Sequence, residues 1–301
     1  MDNVSVIIVN YNAGPLLKRV VNSVLCLHSV SKIIVVDNGS TDQSKAEVDD
    51  LSISSSRLIC IHNQENLGFA KACNIGVAHA GESEYMLFLN PDCLMQSNAL
   101  ETLLAFMKSS PKTGMAGPLL LNPDGTEQAG GRRAVPTPWR SFVRAFGLSK
   151  LGERWPRLFS DFLLHQKPLP DGPVEVEAIS GSCMLVRREA LSDVGLLDEG
   201  YFMHCEDLDW CMRFRRKGWK IMFVPAARVE HHQGTCSKAR PVFVEWHKHK
   251  GMMRFYRKFF RHQYPGVLLW IVGLGVWLRF SAVAVFHGVR TFICRRTNDR
   301  C

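Results

Sequence analysis

The chain has 301 residues, of which 46% are hydrophobic and 22% charged. This composition can bury the core of a large domain and excludes an intrinsically disordered chain. The net charge of +9 is uneven: residues 1–233 carry 24 Lys and Arg against 26 Asp and Glu, and residues 234–301 carry 13 against 2. The basic character therefore belongs to the C-terminal segment. That argues against a nucleic-acid-binding core and for an anionic partner of this segment, such as a membrane surface.

Cysteine usage and the first residues both predict a cytoplasmic location. The ten cysteines are scattered and contain no Cys-x-x-Cys pair, a pattern typical of reduced thiols. The chain starts without a basic region followed by an apolar run, so no secretory signal is predicted.

The first half of the chain alternates strand and helix patterns. Predicted strands cover residues 4–9, 32–36, 57–61 and 85–89, and predicted helices cover residues 15–27 and 68–80. Such alternation predicts a doubly wound α/β sheet that binds ligands at the carboxyl ends of its strands. Polar residues occupy three of these ends, at 10–12, 37–40 and 90–92.

The second half is less regular. Residues 122–175 are rich in Gly, Pro, Arg and Trp and predict a long, partly mobile insertion. Order resumes with predicted strands at residues 174–179, 183–186 and 221–224 and predicted helices at 188–194 and 206–217. In the last helix, Asp209 and Arg213 are one turn apart and are expected to pair.

The C-terminal segment divides into two predicted helices. Residues 243–261 are basic and aromatic, which indicates an amphipathic helix at a membrane interface. Residues 267–286 are apolar apart from Arg279 and are long enough to span a bilayer. A mid-span arginine is costly unless it snorkels or pairs, which favours a helix lying in or dipping into the membrane over a full span. We therefore predict a main domain over 1–235 and a membrane-associated tail over 236–301.

The most informative segment covers residues 202–209, where Glu206, Asp207 and Asp209 interrupt an apolar run. Unpaired carboxylates are expensive to bury, so each of the three is expected to be solvated, paired or used in chemistry. A second acidic signal, Asp92, follows a predicted strand, and His231 and His232 come later in the chain. Together these residues outline a possible metal and acid/base site.

The chain resembles the family 2 glycosyltransferases of GT-A fold, and among them the rhamnosyltransferase-like enzymes of bacterial cell-surface polysaccharide synthesis. The resemblance spans about residues 3–235. It depends on six blocks in the same order, at residues 4–12, 36–42, 66–76, 89–92, 195–199 and 206–209. Each block is weak alone, and their order makes coincidence improbable.

The resemblance implies a binding site for a nucleotide-diphosphate sugar. The family places an Asp against the base, and Asp37 matches it, although residues 37–40 also read as an ordinary turn. The further nucleotide-binding candidates are Asn10, Tyr11, Asn12, Asn38, Gly39, Asn66, Gly68, Lys71 and Asn90. Lys71 reads equally well as a solvated lysine, and Asn10 and Asn12 as a plain strand terminus.

The resemblance also implies a divalent cation, Mg²⁺ or Mn²⁺. Residues 90–92 stand where the superfamily usually carries Asp-x-Asp, and an amide replaces the first carboxylate. One carboxylate can still bridge a cation to a diphosphate, so Asp92 is the predicted ligand. His231 matches the histidine that completes the metal site in some relatives, with His232 as its competitor. A strand-ending turn and a structural histidine are the plainer alternatives.

Asp207 is the predicted general base, because the family places its base at the second acid of a Glu-Asp pair. Transfer with inversion requires the acceptor hydroxyl to lose a proton, and Glu206 would help to position acceptor or base. Alternatively, the acids stabilise a helix start, an interpretation that we prefer for Asp209. Three arginines of the insertion, Arg132, Arg133 and Arg140, are candidates for binding an acceptor diphosphate.

The predicted function is an inverting, metal-dependent transferase at the cytoplasmic face of the inner membrane, held there peripherally or by its tail. The resemblance implies dTDP-L-rhamnose as donor, with UDP-galactose and UDP-N-acetylglucosamine open, and a glycan on polyprenyl diphosphate as acceptor. Two alternatives remain: a non-catalytic, membrane-tethered glycan- or nucleotide-binding protein, and a metallohydrolase that uses Asp92, Asp207 and His231. No nucleic-acid partner is predicted.

Overall fold

The computed structural model describes residues 3–234 and 240–298. The chain packs as two compact units. Unit 1 comprises Met1–Val135, Phe162–Phe202 and Glu206–Cys236, and unit 2 comprises Pro136–Asp161, Met203–Cys205 and Ser237–Cys301. The predicted boundary between residues 235 and 236 lies outside the described residues.

The elements alternate along the chain as the sequence predicts. The strands are β1 (Val4–Asn10), β2 (Val30–Asp37), β3 (Leu58–His62), β4 (Tyr85–Leu89), β5 (Cys93–Met95), β6 (Thr113–Leu121), β7 (Arg132–Arg133), β8 (Val174–Glu175), β9 (Ala178–Ile179), β10 (Cys183–Arg187) and β11 (Lys220–His231). The helices are α1 (Pro15–Leu25), α2 (Ser44–Ser54), α3 (Phe69–His79), α4 (Ala99–Ser109), α5 (Pro138–Ala145), α6 (Arg188–Val194), α7 (Glu206–Arg216), α8 (Pro241–Phe260) and α9 (Gly266–Asn298), with a 3₁₀ helix at Leu148–Glu153.

Unit 1 is built on a mixed sheet with strand order β3-β2-β1-β4-β10-β6-β11-β5, and β8 also pairs with β11. Strands β1 to β4 are parallel, whereas β10 runs antiparallel to both of its neighbours. The predicted α/β class is confirmed. The reversal at β10 brings its first residue, Cys183, opposite Leu89 at the end of β4. The chain just before β10 therefore meets the carboxyl end of the parallel strands.

The core forms because β1 and β4 are buried along their whole lengths, as their β-branched and apolar sequences predict. Helix α1 adds Leu17, Val20, Val21 and Val24, which are three or four residues apart and form one apolar face. Strand β6 was not predicted, and it lies in the middle of the sheet. Its Gly117 is required there, because a Cβ would come within 3.0 Å of the Ile179 side chain.

Unit 2 is helical. Helices α8 and α9 pack against each other, with the Trp246 ring centroid 5.1 Å from that of Trp277. Gly251 of α8 lets the backbone of Met203–Cys205 approach, since a Cβ there would lie 2.9 Å from the His204 carbonyl oxygen. In α9, Leu269–His287 is long and apolar enough to cross a membrane, judged by length and composition alone.

Candidate active site

The carboxyl ends of β1 and β2 are joined by a buried hydrogen-bond network. The Asn10 amide nitrogen donates to Asp37 Oδ1 at 2.8 Å, Ser40 Oγ at 3.1 Å and Ser44 Oγ at 2.9 Å. The Ser40 backbone N–H donates to the other oxygen of Asp37 at 3.1 Å. The Asn10 side chain therefore fixes the orientation of the Asp37 carboxylate, and it is itself fully buried.

Asn38 links this strand end to the chain that leads into α3. Its amide nitrogen donates to Asn66 Oδ1 at 2.9 Å, and its Oδ1 accepts from the Leu67 backbone N–H at 3.0 Å. We call Asn10, Asp37, Asn38 and Asn66 the strand-end network. Asn66 is thus placed beside Asn38 as a structural partner.

Two glycines in the same region are required by close approach. Gly39 and Gly68 have φ values of 79° and 88°, and a Cβ would lie 2.9 Å from the Glu65 carbonyl carbon and 2.7 Å from the Phe202 carbonyl oxygen, respectively. Both positions combine a left-handed backbone with no space for a side chain, so glycine is needed whether or not a ligand binds.

The other predicted nucleotide-binding residues are half-buried or exposed. Asn12 has a φ of 53°, and its Oδ1 accepts from the Thr41 backbone N–H at 2.7 Å. Tyr11 and Asn90 are half-buried, and Lys71 is exposed in the first turn of α3. These side chains remain predicted contacts of the nucleotide sugar.

Asp92 and His231 are brought together by the antiparallel pairing of β5 and β11, in which His231 lies opposite Cys93. His231 Nε2 is 3.2 Å from Asp92 Oδ1. The other ring nitrogen, Nδ1, is 2.6 Å from Gln128 Oε1, which orients the imidazole. His232 instead pairs with Glu230, with 2.6 Å between His232 Nε2 and Glu230 Oε1. Of the two candidate histidines, His231 is the one beside Asp92.

This cluster fits a divalent cation. Ligand atoms of Asp92, Cys93 and His231 lie within 4.8 Å of one another, and all three residues are buried. Within the described chain, Asp92 Oδ1 is buried and makes no hydrogen bond, because the approach of His231 Nε2 at 3.2 Å lacks hydrogen-bond geometry, so the oxygen is left as an acceptor for a ligand. Burial, followed by the nearby Asp92 charge, raises the pKa of the Cys93 thiol well above its ordinary value. A neutral thiol is a poor ligand for Mg²⁺ or Mn²⁺, which leaves the carboxylate and the imidazole as the donors.

Asp207 lies in the first turn of α7 among groups that stabilise a carboxylate anion. Its Oδ2 accepts from the Gly181 backbone N–H at 3.0 Å and pairs with the Arg133 guanidinium, and its Oδ1 accepts from the Leu208 backbone N–H at 2.7 Å. Arg133, a predicted ligand of the acceptor diphosphate, therefore pairs with Asp207, the predicted base. Arg132, its neighbour, is buried and pairs with Glu127 at 2.7 Å.

Residues 181 and 182 connect α7 to the cluster of Asp92, Cys93 and His231. The Gly181 backbone N–H contacts Asp207, and the Ser182 carbonyl oxygen accepts from the Asn90 backbone N–H at 2.8 Å. Asn90 starts the turn that carries Asp92, because the Cys93 backbone N–H donates to the Asn90 carbonyl at 3.1 Å. The predicted base and the predicted metal ligands thus lie at the same edge of the sheet.

Glu206 differs from its neighbour in its surroundings. Burial, and then the negative charge of Asp207, raise the pKa of Glu206 from its ordinary value of 4.5 to about 8. Its Oε2 is buried and has no hydrogen-bond partner among the described residues. At neutral pH this carboxyl holds its proton, so its hydroxyl can donate a hydrogen bond.

Asp209 has a structural role. Its Oδ2 lies 2.7 Å from Arg213 Nε and its Oδ1 accepts from the Tyr201 hydroxyl at 3.2 Å, which confirms the predicted pairing one turn apart. Just before α7, His204 and Cys205 have φ values of 63° and 70°. Two consecutive non-glycine residues in the left-handed region store strain at the start of the acidic helix.

Sequence reasoning missed three contacts of the site. These are the pairing of Arg133 with Asp207, the orientation of His231 by Gln128, and the position of Cys93 beside Asp92. Only the last had a signal in the sequence, because Cys93 directly follows Asp92.

Comparison with known proteins places the chain in a family. The model of the glycosyl transferase family 2 matches residues 5–195, well over half of the chain. The chain is 33% identical over 253 residues to an N-acetylglucosaminyl-diphospho-decaprenol L-rhamnosyltransferase of Mycobacterium tuberculosis, covering 80% of each chain. It is 29% identical to the rhamnosyltransferase WbbL of Escherichia coli, covering 66% of this chain and 82% of the relative. The chain belongs to the family 2 glycosyltransferases and is an enzyme of that class.

The fold is shared with solved glycosyltransferases. The mannosyltransferase PcManGT of Pyrobaculum calidifontis, in complex with GDP-Man and Mn²⁺, superposes with a TM-score of 0.57 at 16% identity. The match covers 95% of this chain and 75% of that one. The predicted GT-A fold is thereby confirmed.

Proposed function

We propose that the protein is an inverting, metal-dependent rhamnosyltransferase that uses dTDP-L-rhamnose and a glycan carried on polyprenyl diphosphate. The observation that carries the mechanism is the contrast between Asp207, surrounded by donors, and Glu206, which burial keeps protonated. The choice of sugar and acceptor is supported by the names of the rhamnosyltransferase relatives, one of which acts on a decaprenol-linked substrate.

In this mechanism Asp207 accepts the proton of the acceptor hydroxyl as that oxygen attacks the anomeric carbon. Arg133 and the Gly181 backbone N–H hold the carboxylate in place before the acceptor arrives. Protonated Glu206 orients the acceptor by donating a hydrogen bond. A divalent cation, when bound, neutralises the charge of the leaving diphosphate, and Asp92 and His231 would hold it.

The strand-end network would bind the base of the donor. Asp37 would accept from the imide N–H of thymine or uracil, and Asn10 would hold Asp37 in position for that bond. A contact with the base does not determine which hexose is transferred. UDP-galactose and UDP-N-acetylglucosamine are therefore the competing donors to test.

We place the enzyme at the cytoplasmic face of the inner membrane. Helix α9 contains the apolar stretch Leu269–His287, in which Arg279 is exposed. Helix α8 is basic and buries Phe255, Tyr256, Phe259 and Phe260. Deleting residues 236–301 should release the protein from membranes and reduce transfer to lipid-linked acceptors more than to soluble ones. Unchanged membrane partition would refute this placement.

The decisive experiment assays purified full-length protein with a panel of dTDP and UDP sugars, with Mg²⁺ or Mn²⁺, in the presence and absence of acceptor. We expect a glycoside product of inverted configuration, formed from dTDP-L-rhamnose only when both metal and acceptor are present. Free sugar formed regardless of acceptor would instead identify a metallohydrolase. Thermal stabilisation by nucleotide without any turnover would identify a binding protein.

A further inference from the structure

A cluster of exposed aromatic and aliphatic side chains lies on Pro136–Asp161, the part of the predicted insertion (residues 122–175) that belongs to unit 2. From here on, "the insertion" refers to this segment. We define the insertion patch as its six exposed large apolar residues, Trp139, Phe142, Phe146, Leu151, Trp155 and Leu158. Phe146, the most exposed, shows 68% of its side chain to solvent. Within the described part of unit 1, only Ile53, Leu169 and Leu196 are comparably exposed. Outside the two C-terminal helices, the apolar exposure of the described residues is therefore concentrated in this short segment, which indicates a partner.

The patch has a regular geometry. Trp139, Phe142 and Phe146 are three and four residues apart and so lie on one face of α5 and its C-terminal end. The Trp139 and Phe142 ring centroids are 5.4 Å apart, and those of Phe142 and Phe146 are 4.5 Å apart. These rings form a continuous row, whereas Val143 of the same helix is buried.

Basic residues accompany the row. The insertion carries five Lys and Arg against two Asp and Glu. Arg154 lies over the Trp155 ring, with 5.2 Å from its guanidinium carbon to the ring centroid. Tryptophan beside arginine is the combination that favours the headgroup level of a bilayer, where the ring is half in hydrocarbon and the cation meets anionic lipid.

The insertion is also attached to the proposed membrane-binding helices of its own unit. The Tyr256 hydroxyl of α8 donates to Ser141 Oγ of α5 at 2.7 Å, and α5 also contacts α9. The patch is thus continuous with a strongly basic unit, in which residues 237–301 carry 13 Lys and Arg against 2 acids. An anionic partner would suit both parts of that unit.

We propose that the insertion patch docks on the headgroup region of an anionic lipid bilayer and gives the enzyme a second membrane contact besides its C-terminal helices. The proposal builds on the proposed function, because a lipid-linked acceptor would be presented at the same surface. It assigns a role to a segment whose sequence predicts only a partly mobile insertion.

The test uses full-length protein, one copy per nanodisc, and measures amide hydrogen exchange of residues 138–158. We expect exchange to be at least tenfold slower in discs with 30% phosphatidylglycerol than in discs of phosphatidylcholine alone, and the difference to shrink in 0.5 M salt. Exchange of Ser44–Ser54, which carries exposed Ile53, is the internal control and should not change. Equal exchange in both discs would overturn the proposal. So would protection that depends on protein concentration, since it would identify a second copy as the partner.

Transfer assays with two kinds of acceptor test this inference separately from the proposed function. The double variant Phe142→Ser/Phe146→Ser should lower transfer to a vesicle-borne lipid acceptor at least fivefold and leave transfer to a short soluble acceptor within twofold. Ile53→Ser, which removes an exposed apolar side chain from unit 1, should change neither rate. An equal fall in both rates would contradict the inference. Wild-type protein that forms no glycoside with any acceptor would refute the proposed function, and the lipid-dependent exchange would still stand or fall by itself.

Discussion

The strand-end network and the acidic residues of the site differ in how completely their buried polar groups are hydrogen-bonded. In the network, Asn10, Asp37, Asn38 and Asn66 bond to one another and to the backbone. In the second region, which we call the acid cluster and which consists of Asp92, Glu206 and Asp207, two carboxyl oxygens are buried without a hydrogen bond among the described residues. The network is complete without a ligand, whereas the cluster is arranged to receive one. Substitutions in the first region should therefore affect stability as well as binding of the donor base, and those in the second should have their largest effect on chemistry.

The largest expected effect is the loss of activity in Asp207→Asn. Removing a general base typically costs 10²- to 10⁴-fold, so we expect turnover to fall about 10³-fold, and breaking the pair with Arg133 should also cost about 3 kcal/mol of stability. The matched control is Asp209→Asn in the same helix. Because it breaks the buried pair with Arg213, it should cost about 3 kcal/mol of stability and leave turnover of the folded protein within about tenfold. Initial rates and urea unfolding measure the two effects, and a greater loss of turnover in the control would reverse the assignment.

Asn10→Ala tests how much the strand-end network contributes to stability. The side chain makes four hydrogen-bonding contacts, to Asp37, Ser40, Ser44 and the Ala13 backbone N–H. Because the two N–H groups of the amide serve three acceptors, the contacts amount to about three hydrogen bonds, and at about 1 kcal/mol each we expect the free energy of unfolding to fall by about 3 kcal/mol. Lys71→Ala, at an exposed predicted site residue, should stay within about 0.5 kcal/mol of wild type. A change at Asn10 as small as that at Lys71 would remove the distinction between the two regions.

Glu206→Gln should make the protein more stable at alkaline pH. The folded-state pKa of about 8 lies above the ordinary value of 4.5, so the native state retains the proton that the unfolded chain releases. The contribution of this carboxyl to stability is fully present below about pH 4.5 and is lost as pH rises through about 8. Between about pH 5 and 8 the wild type should lose on the order of 3 kcal/mol relative to the variant. Parallel stability curves for the two proteins over this range would show that Glu206 is ionised at neutral pH.

The smallest effect is expected at Gln128, which contacts His231 without reaching the metal position. Because it orients the imidazole, Gln128→Ala should weaken Mn²⁺ binding about tenfold in the presence of nucleotide diphosphate. Electron paramagnetic resonance of free Mn²⁺ measures the affinity. Gln233→Ala, at an exposed position two residues after His231, is the control. If both variants bind Mn²⁺ as wild type does, orientation of His231 by Gln128 contributes nothing to metal binding.

Much of unit 1 was predictable because its signals are local. Strand β1 is a run of buried, mostly β-branched residues, and the pairing of Asp209 with Arg213 depends only on helical spacing. Strand β6 escaped prediction because Gly117 and Pro118 interrupt its apolar pattern. Proline usually indicates an edge strand, and here the glycine is needed for packing against Ile179.

The contacts that define the candidate site were less predictable because they join residues far apart in the chain. Arg133 reaches Asp207 across 74 positions, and Gln128 reaches His231 across 103. Neither arginine nor glutamine has a local pattern that indicates such a partner. The motif blocks located the acids and the histidine, and only the folded chain identifies the groups that orient them.

The strained backbone at His204 and Cys205 has a consequence for protein engineering. Glycine or asparagine at position 204 would adopt the same φ of 63° at lower cost, so a search for heat-resistant variants should select them, with a gain of about 1 kcal/mol. The size of the stability gain at residue 204 would therefore measure how much conformational strain the chain carries in the turn just before α7.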